Sequence, residues 1–492
     1  MLELLTALAE KSLLLTDRGS APRYRLLGTI KEYAGLRLAE AGESDVARRA
    51  HLAYFTELTE TAEPRLRRAE QLEWLARLDV ERDNIGAAMR GAVAAGEAQP
   101  AMRLAVGAGW YWWLGGHKAE GFELIIAATK LRGDVTDDVR ATVYALVVQF
   151  VSSGRSDEHQ AADWIRKAHR YGQRSHGRHP AIGFAAALDR MLQAPDASLP
   201  AFEELLDHED PWARALARLQ LGKMRIMIGR EGWEADAYLE TALSEFRALG
   251  ERFGIWFALS ELADRIAVRG EFAGACDHYE QAIAVVTELG ATEDVIRMRT
   301  RQARLYWLRG DAESSAAAMA EAQWCADRVT WPDALAELAL SKAELARWSG
   351  DAEQAYRQLG IAAAVLGDVA EEANVSTATH DLLGYLADDL GDARTHRAAA
   401  YRAACAAGHA PLIAQVLVGV ADLALRGDEY EQAARLLAAS TAVRGLPDRS
   451  HPDAARIELE ARRRPGDTRC AEAAREGART SWDELVAVTL DA

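Results

Sequence analysis

The amino-acid sequence predicts an all-α protein: a solenoid of stacked helical hairpins with one small β-hairpin near its start. Three observations carry this. Glycines recur between apolar segments at a near-constant interval, the segments between them repeat apolar residues at helical spacing, and residues 11 to 43 break the pattern with two short β-like runs around a polar turn.

The first element is read from "KSLLLTDRGSAPRYRLLGTIKEYAGLRLAEAGE". A short apolar run, the polar turn Asp17-Arg18-Gly19-Ser20 and a second run from Tyr24 to Leu27 predict a two-stranded hairpin. A helix carrying Ile30, Tyr33, Ala34, Leu36 and Leu38 follows. Next comes "ERDNIGAAM", where Glu81, Asp83 and Asn84 run into a small-residue helix. Carboxylates two apart on a helix point away from each other, so no proton or metal site forms. The expectation is that Asp79, Asp83 or Asn84 caps the amides of the helix bearing Ile85, Ala88, Met89 and Val93.

The repeat itself is marked by Gly116, Gly154, Gly229, Gly270, Gly310, Gly350, Gly391 and Gly427, with gaps of 38, 75, 41, 40, 40, 41 and 36 residues. The long gap is two units with a degenerate member around "APDASLP", residues 194 to 200. Each glycine is expected at a turn between helices, where a left-handed residue costs least as Gly. In the clearest unit, residues 258 to 290, Leu262 and Ala263 precede Gly270 and Phe272, and Ala275, Tyr279 and Ala282 then mark one face of a second helix. That unit resembles the tetratricopeptide repeat, which implies a right-handed superhelix with the first helix of each pair lining a concave groove. The period near 40 is longer than the family's usual unit, about 34 residues. At the far end Pro447, Pro452 and Pro465 interrupt the array, and Ser481 with Glu484 spells a capping box before "LVAVTL". The organisation expected is 1–62, 63–225 (degenerate repeats), 226–445 (regular repeats) and 446–492 (helical cap).

Composition narrows the function. The chain has 492 residues and a net charge of −17, and residues 1 to 65 hold nine basic against ten acidic side chains, so no patch for nucleic acid stands out. No apolar run reaches the ~18 residues of a membrane span, and the expected location is cytoplasmic. Cys276, Cys325, Cys405 and Cys470 form no CxxC pair and are expected to be buried, reduced thiols.

The order "LTALAEKSLLLTD…RYRLLGTIKEYAGLRLAEAGE", "ARRAHLAYFTELTETAEPRL", "WLARLDVERDNIGAAM", "WYWWLGGHKAEGFELI", "YEQAARLLAAS" and "WDELVAVTL" resembles bacterial STAND-class regulators, the large ATP-binding LuxR-like and AfsR-like proteins. The resemblance implies that residues 1–62 are a winged-helix remnant and that the repeats are a sensor arm, which in a complete member biases an ATPase. No G-x-x-x-x-G-K-[ST] occurs, since Gly222-Lys223 is followed by Met224, so no ATPase activity and no cofactor is expected.

Other motifs favour structure over chemistry. In "GWYWWLGG", Trp110 and Trp113 share a helical face and suit a core, whereas Trp112 points elsewhere and is the candidate ligand contact. His176 and His179 lack a third ligand and suit a solvated loop; Gly107 to Gly109 follow no strand. No enzyme signature is present. Carrying tetratricopeptide offsets over from the turn glycines assigns Asp264, Arg297, Arg304, Trp307, Glu344, Arg347, His380 and Tyr385 to the inner groove, for a protein segment, peptide or small effector. Arg297, Arg304 and Arg347 would clamp an anion there, unless Asp264 and Glu344 pair with them. The alternative function is a free-standing scaffold joining protein partners.

Overall fold

Helix stops placed about forty residues apart set the architecture of the computed structural model, which describes residues 2–17, 23–150, 158–176, 179–193, 198–229, 232–367, 373–464 and 466–491. The chain opens with α1 (Leu2–Glu10), the antiparallel hairpin β1 (Leu14–Asp17) and β2 (Arg23–Leu26), α2 (Gly28–Glu40) and α3 (Ser44–Ala62). Leu14 pairs with Leu26 and Asp17 with Arg23; the rest of the expected turn, residues 18 to 20, lies outside the described residues. α2 buries none of its residues, while α3 buries Leu52, Phe55 and Leu58.

Then come α4 (Gln71–Val80), α5 (Arg82–Ala94), α6 (Ala98–Leu114) and α7 (Lys118–Thr129). A helix does start at "ERDNIGAAM", but no side chain caps its amides, which corrects the capping expectation. The Glu81 carboxylate instead accepts from Arg23 on the hairpin and from the Asn84 amide, each at 2.7 Å, and Asp79 lies 3.0 Å from His117 Nε2. A guanidinium is the stronger partner, so the carboxylate turns to it. Trp112 is fully buried against Gly121, so it is core and not the ligand contact expected.

After α8 (Asp137–Phe150), α9 (Glu158–Gly172), α10 (Pro180–Gln193) and the short α11 (Ser198–Glu203), six antiparallel pairs follow. They are α12 (Pro211–Met227) with α13 (Gly232–Leu249), α14 (Arg252–Val268) with α15 (Phe272–Leu289), and α16 (Thr292–Leu308) with α17 (Ala312–Ala326). The last three are α18 (Pro332–Trp348) with α19 (Ala352–Leu366), α20 (Ala373–Leu386) with α21 (Leu390–Ala407), and α22 (Ala410–Arg426) with α23 (Tyr430–Arg444). α24 (Pro452–Arg463), α25 (Asp467–Gly477) and α26 (Trp482–Leu490) pack on the last pair. The protein is a right-handed helical-hairpin solenoid of tetratricopeptide type.

Leu262, Ala263, Ala275, Tyr279 and Ala282 are all buried at the α14/α15 crossing, as their spacing requires. Gly270 turns that pair at φ +87°, a conformation that costs a side-chain-bearing residue dearly. Gly116, Gly229, Gly310 and Gly350 are also left-handed. Two expected turn glycines are corrected. Gly391 lies inside the first turn of α21, its amide bonded to the Asp389 carboxylate at 2.7 Å. Gly427 has φ −85°, and its neighbour Asp428 takes the left-handed position. Gly154 falls outside the described residues, as do residues 194 to 197 of the degenerate unit. α26 starts after Ser481, but the expected capping box is not closed by a side-chain bond.

The array of pairs does not stay open. The Arg449 amide donates to the Val268 carbonyl at 2.9 Å, and Gly229, at the end of α12, sits so close to α23 that a Cβ there would lie 2.1 Å from the Val443 oxygen. Arg347 on α18 reaches Asp453 at 2.7 Å. The first pair thus meets the last, and residues 444 to 453 lie across the inner face. At the other end of the molecule α4 to α7 join the array through Gln71 to Glu251 at 2.6 Å and Lys118 to Asp294 at 2.7 Å. Among the described residues no helix is long and apolar enough to cross a membrane.

Candidate functional site

The charged inner face is lined by the first helices of five of the six pairs, α12, α14, α16, α18 and α22, and not by α20. Side chains one turn apart on those helices face the same space. Residues 444 to 451 and the start of α22 roof part of it, leaving a charged cavity of about 380 Å³. Its floor carries Glu261 and Asp264 from α14, Arg301 and Arg304 from α16, and Glu344 from α18; Ser450 and His451 belong to the roof.

The charges alternate in sign and are mutually bonded. Arg304 donates to Glu344 at 2.6 Å, and Asp264 accepts from both Arg301 and the Tyr279 hydroxyl. Burial, and next the Asp264 charge, push the Tyr279 phenol well up, so it remains a donor. Burial also pushes the Glu261 carboxyl up, with the Lys223 charge opposing. Burial acts the same way on Glu337, but Arg301, Arg297 and Arg304 outweigh it and hold that carboxyl down. Such a cavity offers donors and acceptors in alternation and no single excess of charge.

Of the eight groove residues expected from the sequence, Asp264, Arg304 and Glu344 meet in this cavity. Arg297 lines a second, aromatic cavity of about 290 Å³ nearer the N-terminus and comes only within 4.0 Å of Glu337. Trp307 packs on Trp348, ring centroids 5.0 Å apart. Arg347 and Tyr385 lie in neither cavity: the Tyr385 ring is held between the guanidiniums of Arg347, at 4.3 Å, and Arg397, at 3.8 Å. His380 faces His396 with the two Nδ1 atoms 3.0 Å apart. The three arginines expected as one clamp are therefore separated, each beside a carboxylate, because the roof supplies Asp453 and α18 supplies Glu337 and Glu344.

Sequence reasoning missed Glu261, Arg301, Tyr279 and His451. Arg297, Arg301 and Arg304 stand at i, i+4 and i+7, a spacing that marks Arg301 as a neighbour on the same face. Nothing local signals His451, which arrives from beyond the last pair. His179 is not a free loop residue either, since its Nε2 lies 3.0 Å from the buried Glu63 carboxylate. Cys276, Cys325 and Cys470 are buried, but Cys405 is exposed, contrary to expectation. Among the described residues no group of three or more His, Cys, Asp and Glu side chains is placed to hold a metal ion.

No family model matches the chain. Proteins carrying the provisional description HTH-type transcriptional regulator, Rv0890c of Mycobacterium tuberculosis and Mb0914c of Mycobacterium bovis, are each 28% identical over 313 residues, 60% of this chain and 34% of theirs. The chain thus spans about a third of the length of these relatives. Among solved structures, a Rap protein complexed with competence and sporulation factor aligns with TM-score 0.42 and 15% identity over 65% of this chain and 98% of its own. A STAND protein with a tetratricopeptide repeat sensor from Pyrococcus horikoshii aligns with TM-score 0.36 and 13% identity, covering 77% and 60%. Yeast Tom70 aligns with TM-score 0.37 and 13% identity, covering 94% and 99%. These are likenesses of helical-repeat architecture.

Proposed function

We propose that the chain is the non-catalytic, cytoplasmic sensor arm of a STAND-type transcriptional regulator, LuxR-like or AfsR-like. In this reading it binds a small polar effector, or the end of a peptide, in the charged cavity and thereby controls an ATPase and DNA-binding part absent from these residues. Residues 1–62 are then the end of a winged helix, 63–225 and 226–445 the degenerate and regular repeats, and 446–492 the cap that roofs the site.

The observation carrying the reading is the roofed cavity of about 380 Å³, whose wall alternates Glu261, Arg301, Asp264, Arg304 and Glu344. That volume suits a small molecule. The partial match to helix-turn-helix regulators supports the regulatory setting. The scaffold alternative draws instead on the N-terminal elements, where Tyr33, Leu36 and Tyr54 are exposed.

The test is a thermal-shift screen of the chain against amino acids, sugars and short peptides. A true effector at 100 times its Kd adds about 2.7 kcal/mol of stability. Replacing Arg304→Gln together with Glu344→Gln removes both charges at once and should abolish the shift without lowering the ligand-free Tm. ATP with magnesium should give no saturable shift. An absence of hits, or hits indifferent to the double substitution, rejects the reading.

A further inference from the structure

The second cavity, of about 290 Å³, has walls of a different chemistry from the charged one. Phe253, Trp256 and Phe257 of α14 face Trp331 at the start of α18, with Phe184 and Trp113 contributed by α10 and α6. Phe253 and Phe257 stack at 5.7 Å and Trp256 stands edge-on to both, so the rings hold one another in place. A space of this size bounded by fixed rings suits a flat apolar body.

The polar groups on its rim are not equivalent. Lys118 is locked to Asp294 at 2.7 Å. Glu337 is shared between Arg301, at 3.7 Å, and Arg297, at 4.0 Å. Asp333 sits in the first turn of α18, where a carboxylate suits the helix dipole. Glu293 is nearly buried, and that burial pushes its carboxyl up toward the neutral form. Two cations remain. Lys223 rests its ammonium 5.0 Å from the Phe257 ring centroid and acts on the buried Glu261 carboxyl, and Arg297 keeps only the 4.0 Å ion pair with Glu337; among the described residues neither side chain donates a hydrogen bond.

We propose that this cavity is a second binding site, separate from the charged one, for a small monocarboxylate with an aromatic body. The ring lies among Trp256, Phe257 and Trp331, and the carboxylate takes donors from Lys223 and Arg297. An organic cation is disfavoured because the faces of Trp113 and Phe257 are already covered by Lys118, at 4.8 Å, and Lys223, at 5.0 Å. A peptide is disfavoured by the volume.

The test uses three near-isosteric probes on the intact chain: 4-bromophenylacetate, its neutral amide, and 4-bromophenethylamine. The anion should bind saturably by calorimetry, the amide roughly tenfold more weakly or worse, and the amine not measurably. Lys223→Met should remove most of the preference for the anion over the amide at unchanged Tm. Should that variant fail to fold, Arg297→Gln, at a half-exposed position, must weaken the anion in the same direction. In a crystal soaked with the anion, the bromine anomalous peak should lie in this cavity, beside Trp256 and Trp331. No saturable binding, equal binding of the amide, tighter binding of the amine, indifference to both substitutions, or a peak beside Trp348 in the charged cavity would each overturn the proposal. A failed effector screen on the charged cavity leaves this outcome unaffected, so the two readings stand or fall separately.

Discussion

Arg347 holds Asp453 at 2.7 Å with both side chains almost buried, and so ties the fourth helical pair to the segment that follows the sixth. The same guanidinium covers the face of Tyr385 at 4.3 Å. Removing Arg347 leaves the Asp453 carboxylate buried with only Arg456, at 3.3 Å, and His451, at 3.9 Å, beside it, at a cost of up to about 3 kcal/mol. Arg347→Ala should therefore lower the urea midpoint substantially, while Arg347→Met with Asp453→Leu should recover much of the loss. Equal destabilisation by the single and double variants would show that the pair is not what holds the segment.

A second prediction concerns the turn at Gly270. A Cβ there would meet the Arg449 side chain at 2.9 Å, and the backbone is left-handed at φ +87°. Gly270→Val should cost on the order of 1 to 3 kcal/mol. Amide exchange should rise around residues 255 to 310 and also at residues 444 to 453, which the turn touches, but much less near residue 90. Exchange confined to the α14/α15 pair would mean that residues 444 to 453 do not depend on it.

Glu63 gives an acid limb. Burial works against its charge, but the hydrogen bond and charge of His179, with Arg67, hold the carboxyl down at about 2. Its folded value lies below the unfolded one, so the stabilisation is present above about pH 4.5 and fades as pH falls toward 2, by about 3 kcal/mol in all. Glu63→Gln should flatten the stability profile in that window. An unchanged acid limb would assign it to other carboxylates.

His380 acts at milder pH. Burial, then the neighbouring His396 and Arg402, lower its pKa from the ordinary 6.5. A base that is harder to protonate when folded stabilises the neutral form, so stability is full above about pH 6.5 and declines as pH drops below it. The decline should shrink in His380→Asn, read by chemical denaturation at pH 7.5 and 5.5.

The period was legible because the residues that create it act locally. Gly270, Gly310 and Gly350 stop helices wherever they stand, and alanines at crossings tolerate few substitutes. Where another residue took the special backbone position, as Asp428 did beside Gly427, spacing pointed one residue away from the turn. Asp264, Arg304 and Glu344 were placed together because inner-helix offsets persist from pair to pair. His380, Arg347 and Tyr385 obeyed the same offsets and yet line neither of the two cavities. Their surroundings are made by Asp453, Arg397 and His396, none of which an offset rule can supply. The roof over the charged cavity was likewise invisible, since no local pattern announces that Arg449 will pair with Val268.

That amide bond joins residues some 180 positions apart, and it turns a ladder into a loop. An open ladder grows by adding neighbours, with fast, local steps that can begin at any rung. A closed one has a final event that no rung can perform alone: its two ends must find each other after the interior is built, against the entropy of a long chain. Helicity should therefore recover in refolding before the ends meet. During that interval the edge of α12 and the surface of α23 are exposed and complementary, and a second molecule in the same state offers each the partner it lacks. Concentrated refolding then favours entwined dimers that exchange their closing segments, whereas dilute refolding lets each chain close on itself.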